Sequence, residues 1–229
     1  MRTLSIVMPA YNERENVESA IDGATLFLQK KSIKGEIVIV DDGSRDGTTA
    51  VLRKIKKRIA NLRVVTHRQN TGYGDAVWDG LRAAKGDLIF FTDSDCQFDI
   101  NQLSLFLRKI ESSDVVIGFR KKRSEGWRRK INALGWGLVC RIMLGIKFKD
   151  IDCAFKLFRR GALKNIQIIS SGAAFSAELL YRLKESGCKI SEIPVKHYKR
   201  THGRPTGAKA SVIVRSFKEI WLLRQLVRR

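Results

Sequence analysis

Short apolar runs alternate with longer, more polar segments along the first hundred residues of the chain. Each run has the length of a strand that is buried in a sheet, and the segments between the runs are long enough for helices. The pattern predicts strands at 4–8, 36–40, 62–66 and 88–91 and helices at 15–30, 48–59 and 74–84. Asp46 or Thr48 is a candidate cap for the second helix. Strands that alternate with helices of this length indicate βαβ units and a parallel sheet.

The second half of the chain has a less regular pattern. It predicts helices at 101–110, 131–146, 175–185 and 210–227 and strands at 115–118, 150–159 and 190–198. The segments 131–146 and 210–227 are amphipathic with basic flanks, so each could pack on the sheet or contact an anionic membrane surface. In the last helix, we expect one face to carry Ile213, Phe217, Ile220, Trp221 and Leu223. The length suits a single α/β domain over 1–229, with 206–229 as a C-terminal amphipathic helix.

Polar side chains follow the predicted strands directly at their carboxyl ends. In open parallel sheets, ligands bind beyond the carboxyl ends of the strands. We therefore expect a ligand site at this edge. The residues that contribute to it are Tyr11, Glu13, Asp41, Asp42, Asp93 and Asp95.

The central motif of this edge is the segment 93–97, which follows the apolar run 88–91. Asp93, Asp95 and Gln97 occupy alternate positions, so an extended backbone would direct their side chains to one side. Carboxylate and amide oxygens are ligands for Mg²⁺ or Mn²⁺, which share their remaining sites with substrate phosphates. The alternative is a polar turn with solvated acids, but the acids after the other strands favour a metal site.

The charge of the chain predicts an anionic partner. Lys and Arg number 44 against 23 Asp and Glu, which gives a net charge of +21. Phosphorylated substrates, an anionic membrane face and nucleic acid all fit this charge. A nucleic-acid-binding protein is disfavoured, because no known module accompanies the basic residues and the acidic strand ends would repel phosphates.

The cysteine pattern and the apolar runs bear on localisation. Cys96, Cys140, Cys153 and Cys188 form no CxxC pair, and we interpret them as reduced thiols. No run approaches the roughly 20 apolar residues of a membrane-spanning helix, and the first residues lack the pattern of a signal peptide. We expect a cytoplasmic protein that is peripheral on the cytoplasmic face of a membrane.

Several short motifs occur in a fixed order between about residues 4 and 205. They are Pro9-Ala10-Tyr11-Asn12-Glu13, Val40-Asp41-Asp42-Gly43-Ser44 with Asp46-Gly47-Thr48, Asn70 through Gly74, Asp93-Ser94-Asp95-Cys96-Gln97, Gly118-Phe119-Arg120, Asp150 through Arg159, and Phe175-Ser176-Ala177-Glu178. Together they resemble the family-two glycosyltransferases with a GT-A fold. Among these, the chain is most similar to the polyprenyl-phosphate glycosyltransferases, which include the dolichol-phosphate mannose synthases. The resemblance implies a Rossmann-like, mostly parallel sheet flanked by helices.

The resemblance also implies a reaction and roles for individual residues. The reaction is metal-dependent, inverting transfer of a hexose from a nucleotide-sugar, GDP-mannose or UDP-glucose, to a polyprenyl phosphate. Residues 1–100 would bind the donor and 101–205 the acceptor. Positions that match donor contacts are Pro9, Tyr11, Glu13, Val40, Asp42, Asp93, Ser94, Asp95, Gln97 and Arg120. The Mg²⁺ or Mn²⁺ ligands would be Asp93, Asp95 and Gln97, the phosphate-binding arginines Arg120, Arg129 and Arg200, and the catalytic residues Asp95, Arg120 and Arg200.

The chain lacks an obvious general base. Attack by a sugar hydroxyl needs one, and many relatives carry a Glu-Asp pair that is missing here. A polyprenyl phosphate is already ionised near neutral pH, so it needs cations instead. Transfer to a saccharide hydroxyl is the alternative, and it would require Asp150 or Asp152 as the base.

Glu178 lies within an otherwise apolar stretch of the predicted helix 175–185. A buried acid at this position needs a partner, such as an arginine or a backbone amide. We therefore expect a structural role for Glu178 in preference to a catalytic one.

Overall fold

The computed structural model describes the backbone of residues 2–121, 127–200, 202 and 210–227. It describes the side chains of the same residues except 127–134, 210–214 and 226–227. The strands are β1 Leu4–Ala10, β2 Gly35–Asp41, β3 Leu62–Thr66, β4 Leu88–Thr92, β5 Val115–Arg120, β6 Phe155–Arg159 and β7 Ile190–Val195. The helices are α1 Val17–Lys30, α2 Thr48–Arg58, α3 Tyr73–Ala83, α4 Leu103–Lys109, α5 Trp127–Leu144, α6 Arg160–Leu163, α7 Phe175–Glu185 and α8 Ala210–Val227.

The seven strands form one sheet in the order β3-β2-β1-β4-β6-β5-β7. β1 runs parallel to β2 and β4, β2 runs parallel to β3, and β5 runs parallel to β7. Among the strands of the described residues, only β6 is reversed, and it pairs antiparallel with both β4 and β5. The predicted mostly parallel α/β sheet is therefore confirmed, with one antiparallel strand inside it.

Helices cover both faces of the sheet, so successive strand residues enter two different cores. Ile6 lies in the core beneath α1, α2 and α4, whereas Val7 lies in the core beneath α3, α5, α7 and α8. Phe90 and Phe91 divide between the two cores in the same way. Burial on both faces explains why the strands are continuous apolar runs without polar alternation.

One strand begins later than predicted, whereas the start of helix α2 agrees with the prediction. The strand predicted at 150–159 begins only at Phe155, because 150–153 form a turn in which the N–H of Cys153 bonds to the carbonyl of Asp150 at 3.3 Å. Helix α2 begins at Thr48, and Asp46 accepts a hydrogen bond from the N–H of Thr48 at 3.0 Å. The N-cap position itself is Gly47, which has no side chain, so Asp46 satisfies the first N–H of the helix from one residue further back.

Helix α8 has apolar side chains on more than one face, contrary to the prediction of a single stripe. Ile220 and Leu223 are fully buried, but Trp221 and Phe217 are 54% and 45% exposed. The ring of Phe217 contacts Trp136 of α5 at a centroid distance of 6.0 Å. The helix therefore packs on the core and also presents apolar groups outward. No helix in the described ranges is long and apolar enough to cross a membrane.

Candidate active site

The carboxyl ends of β1, β2 and β4 lie side by side, because these strands are parallel neighbours. Glu13 follows β1, Asp42 follows β2 and Asp93 follows β4, so the sheet brings all three to one edge. The acidic segment before β6 reaches the same edge, because β6 is antiparallel and Phe155 pairs with Thr92.

The segment 93–97 is a turn, so the expected extended backbone is wrong. Strand β4 ends at Thr92, Oδ1 of Asp95 accepts a hydrogen bond from the N–H of Gln97 at 3.1 Å, and Cys96 has a left-handed φ of 59°. An Asp side chain that bonds the backbone two residues on reverses the chain direction. Nε2 of Gln97 donates to the carbonyl of Tyr198 at 2.9 Å, and a role for its amide oxygen as a metal ligand stays a prediction.

Neighbouring hydroxyls fix this turn in place. Oγ of Ser94 donates to the carbonyl of Pro9 at 2.8 Å, which ties the turn to β1. The phenol of Tyr73 donates to Oδ1 of Asp93 at 3.0 Å. Burial and the nearby carboxylate of Asp95 raise the pKa of Asp93 to about 7, and burial also raises the pKa of Asp95. Two buried carboxylates that lie close together repel each other when both are ionised, so a bound cation would stabilise their charged forms.

Arg200 is the cation that the structure places against these acids. Its guanidinium donates to Oε1 of Glu13 and lies 3.6 Å from Oδ2 of Asp95. Asn16 donates to the other oxygen of Glu13 at 2.7 Å. In the described part of the chain, no group of three or more His, Cys, Asp or Glu side chains has the arrangement of a preformed metal site.

Arg120 forms a two-pronged ion pair with Asp150. Its Nε and Nη2 donate to the two carboxylate oxygens at 2.6 and 2.8 Å, and its backbone N–H lies 3.2 Å from one of them. The nearby Asp152 accepts a hydrogen bond from Nε1 of Trp136 at 3.2 Å. Arg129 lies in α5, but its side chain is outside the described residues. Phosphate binding by Arg120, Arg129 and Arg200 stays a prediction.

Asp42 organises the loop between β3 and α3. Its buried carboxylate accepts hydrogen bonds from the N–H of Thr71 at 2.8 Å, the N–H of Gly72 at 3.1 Å and the side chain of Asn70 at 2.7 Å. Nδ1 of His67 lies 2.8 Å from the same carboxylate, and its Nε2 lies 3.1 Å from Asp79. Asp42 is thus saturated by its own chain, and the predicted donor contact stays a prediction.

The remaining predicted donor residues differ in accessibility. Tyr11 is partly exposed beyond β1, but the side chains of Pro9 and Val40 are buried. Any contact between Val40 and a ligand would therefore have to be made by its backbone.

Glu178 is fully buried and has the partners that the sequence predicts for a structural acid. Its carboxylate accepts hydrogen bonds from the N–H groups of Ile169 and Ser170 at 3.1 and 2.8 Å, and from Nε of Arg182 at 2.9 Å. These contacts fix the segment before α7.

Lys156 is a further charged residue near the site, and sequence analysis missed it. It is fully buried in β6, and its Nζ donates to the carbonyl of Cys153 at 2.5 Å and lies 5.8 Å from the ring centroid of Phe91. Burial lowers the pKa of Lys156, while the neighbouring Cys153, and after it Asp152, act to raise it. The available signal was a lone charge inside the apolar run 154–158.

A cavity of about 540 Å³ lies beside the loop that Asp42 organises. It is lined by His67, Arg68, Gln69, Thr71, Asp75, Trp78 and Asp79. The cavity adjoins Asp42 through His67 and Thr71, which both contact that carboxylate.

Comparison with known proteins gives one matching family model and several similar sequences. The model described as Glycosyl transferase family 2 matches residues 5–167. The chain is 33% identical over 215 residues to a dolichyl-phosphate beta-glucosyltransferase of Dictyostelium discoideum, covering 84% of this chain and 65% of that protein. It is 28% identical over 204 residues to a dodecaprenyl-phosphate galacturonate synthase of Rhizobium johnstonii, covering 87% of this chain and 60% of that protein. The chain thus spans under two thirds of the length of these relatives.

Solved structures share the fold at lower identity. Glucosyl-3-phosphoglycerate synthase from Mycobacterium tuberculosis, in complex with Mn²⁺, UDP and glucosyl-3-phosphoglycerate, has a TM-score of 0.72 at 24% identity, covering 97% of this chain and 80% of that one. Mannosyl-3-phosphoglycerate synthase from Rubrobacter xylanophilus has a TM-score of 0.72 at 20% identity, covering 100% of this chain and 76% of that one. These similarities confirm the predicted GT-A fold.

Proposed function

The chain belongs to glycosyl transferase family 2, and on that premise we propose that it transfers a hexose from a nucleotide-sugar to a polyprenyl phosphate. The observation that carries the proposal is the meeting of acids and arginines at one edge of the sheet. Asp95 lies there 3.6 Å from Arg200, and Arg120 binds Asp150 in the segment before β6. A metal ion and two anionic substrates would find complementary charges there.

The donor set at Asp93 and Asp95 fits Mg²⁺ or Mn²⁺. Both groups offer carboxylate oxygens, which these cations prefer. Burial and the nearby Asp95 raise the pKa of Asp93, so a bound cation would favour its ionised form. The bound ion would act as a Lewis acid where negative charge grows on the leaving diphosphate. Asp93 and Asp95 would hold the ion, and Gln97 is a candidate third ligand.

Arginine side chains would bring the two anions together. Arg200 could exchange Asp95 for a phosphate oxygen, because its 3.6 Å distance from that carboxylate is longer than a hydrogen bond and the contact is weak. A planar guanidinium can bind two phosphate oxygens at once, which suits Arg120, Arg129 and Arg200 for this role.

A phosphate acceptor is favoured over a saccharide hydroxyl, because both oxygens of the candidate base Asp150 are held by Arg120. Asp152 accepts a hydrogen bond from Trp136, and burial raises its pKa, so it stays the base to test for a hydroxyl acceptor. A carboxylate paired with an arginine has a low proton affinity and is a weak general base. A phosphate acceptor avoids this difficulty, because it is already ionised near pH 7.

The names of the relatives suggest which donor to test first. Dolichyl-phosphate beta-glucosyltransferases of Dictyostelium discoideum and Trichomonas vaginalis make UDP-glucose the leading candidate, and GDP-mannose is the second. The galacturonate synthase shows that uronic acids belong in the panel as well.

A lipid-linked acceptor would require the protein to sit at a membrane surface. The exposed apolar residues of α5 and α8, which lie among basic side chains, support a peripheral position on an anionic membrane. The described cysteines are all free thiols, which supports the cytoplasmic face.

The test is a panel of labelled nucleotide-sugars with Mn²⁺ and three acceptors: a short polyprenyl phosphate, the corresponding polyprenol and a simple sugar. We expect lipid-soluble product from the phosphate acceptor alone. Transfer to the polyprenol or to the sugar at a matching rate would contradict the proposal and would direct attention to Asp152 as a base. The D95N variant is the negative control for every donor.

A further inference from the structure

We propose that Tyr73 is a positioning residue that orients the carboxylate of Asp93 for metal binding. This inference rests on the proposed function, because it assigns a task to a neighbour of a proposed metal ligand. The phenol donates to Oδ1 of Asp93 at 3.0 Å. In the described residues, that phenol is the only hydrogen-bond donor to the Asp93 carboxylate.

The aromatic ring has a separate contact from the hydroxyl. It meets Phe91 edge-on at a centroid distance of 6.4 Å, and Tyr73 as a whole is 39% exposed. The ring can therefore keep its place without the hydroxyl, whose one hydrogen bond here goes to the site.

The backbone around Tyr73 is clamped from two sides. The N–H of Gly72 bonds to Asp42 at 3.1 Å, and the N–H of Gly74 bonds to the carbonyl of Ser171 at 2.9 Å. Both positions need glycine, because a Cβ atom would collide with a neighbouring backbone oxygen. A Cβ at Gly72 would lie 2.5 Å from the carbonyl oxygen of Ser171, and one at Gly74 would lie 2.6 Å from that of Ser170. Gly72 also has a φ of +118°, which L side chains rarely adopt.

The segment 169–171, which contacts Gly72 and Gly74, is itself held in place. Buried Glu178 binds the N–H groups of Ile169 and Ser170, and Arg215 of α8 donates to the hydroxyl of Ser171. The start of α3 is thus held between the loop of Asp42 and the segment 169–171. This arrangement gives the phenol a fixed approach to Asp93.

A neutral phenol that orients a carboxylate acts as an outer partner of a metal ligand. Removal of such a partner lowers metal affinity or activity by about 10- to 100-fold. We expect an effect of this size from Y73F, because the phenylalanine keeps the ring contact and loses only the hydrogen bond.

The experiment titrates Mn²⁺ alone into the full chain and follows free Mn²⁺ by electron paramagnetic resonance. Wild type, Y73F and Y181F are compared, with D93N as the reference for loss of a ligand. Tyr181 is a buried tyrosine of α7 outside the site, so Y181F controls for loss of a hydroxyl.

We expect Y73F to bind Mn²⁺ about 10- to 100-fold more weakly, with an unchanged melting temperature in the absence of metal. Equal Mn²⁺ affinity in Y73F and wild type would overturn the inference. So would a loss in Y73F that Y181F matches, or one that accompanies a lower melting temperature. The titration contains no sugar donor or acceptor, so its result does not depend on transfer activity. A failed transfer assay would therefore count against the proposed function but not against the role of Tyr73 in Mn²⁺ binding.

Discussion

Arg200 lies 3.6 Å from Asp95, so a protein cation already faces a proposed ligand of the metal. The same guanidinium donates to Glu13, which follows β1. Entry of a metal ion and a diphosphate would introduce charges of both signs at this point. Arg200 could then exchange its contact with Asp95 for one with phosphate, while Glu13 retains it near the site.

R200A is therefore expected to lower kcat/KM by about 10- to 150-fold, since a hydrogen bond to a charged group contributes roughly 1.5–3 kcal/mol. R200K should recover little of the loss, because an ammonium cannot span Glu13 and a phosphate in the same plane. The matched control is R53A, which removes an exposed arginine of α2. Steady-state kinetics with saturating Mn²⁺ is the measurement, and wild-type activity in R200A would exclude this role.

D95N should reduce turnover by several orders of magnitude, because it would weaken binding of the proposed metal ion, which would stabilise the leaving diphosphate. The fold should persist. Burial raises the pKa of Asp95, so its charge is unfavourable in the folded protein and a neutral amide is tolerated there. Turnover with and without excess EDTA, together with circular dichroism, checks both statements. Near-normal turnover in EDTA would contradict metal dependence.

W221S should weaken binding to vesicles that contain anionic lipid and leave the protein folded, because Trp221 is 54% exposed. The neighbouring change I220S should unfold the protein, because Ile220 is fully buried. Vesicle co-sedimentation and thermal melting distinguish the two outcomes. Binding should decrease as salt rises, since charge attraction is screened within about 10 Å at 0.1 M. Salt-independent binding, equal for neutral vesicles, would argue against a membrane-facing role for α8.

D46A should lower stability by about 1 kcal/mol at neutral pH, the usual contribution of a helix cap. Although partial burial acts in the opposite direction, hydrogen bonds from Thr48 and from the N–H of Arg14 lower the pKa of Asp46. The stabilisation is therefore present above the unfolded pKa of about 4 and is lost as pH falls through the lower folded value. Denaturant melts of both proteins from pH 7 to pH 3 should converge at the acidic end. A difference that stays constant with pH would show that the carboxylate charge is not involved.

The sequence was sufficient for the four strands of the first half of the chain and for the acids that follow them, because burial on both faces leaves continuous apolar runs such as 88–91. It was less accurate for β6, where the predicted strand included the turn at 150–153. It did not predict the turn at Cys96, since that turn depends on a hydrogen bond from Gln97 back to Asp95. The exposed position of Trp221 depends on how α8 packs against α5, which helical periodicity alone does not define. The two glycines that flank Tyr73 were a local sign of a constrained backbone. The hydrogen bond from Tyr73 to Asp93 could not be predicted, because the two residues are distant in sequence.

Lys156 has a consequence for protein engineering. An ammonium group enclosed in β6 opposes folding, because a charge is transferred from water into the protein interior. A methionine of similar volume would remove that desolvation cost, but it would also leave the carbonyl of Cys153 without its donor and the buried Asp152 without a neighbouring cation. Position 156 is therefore a poor target for stabilisation by one substitution, and a heat-resistant variant would need to change Asp152 along with it.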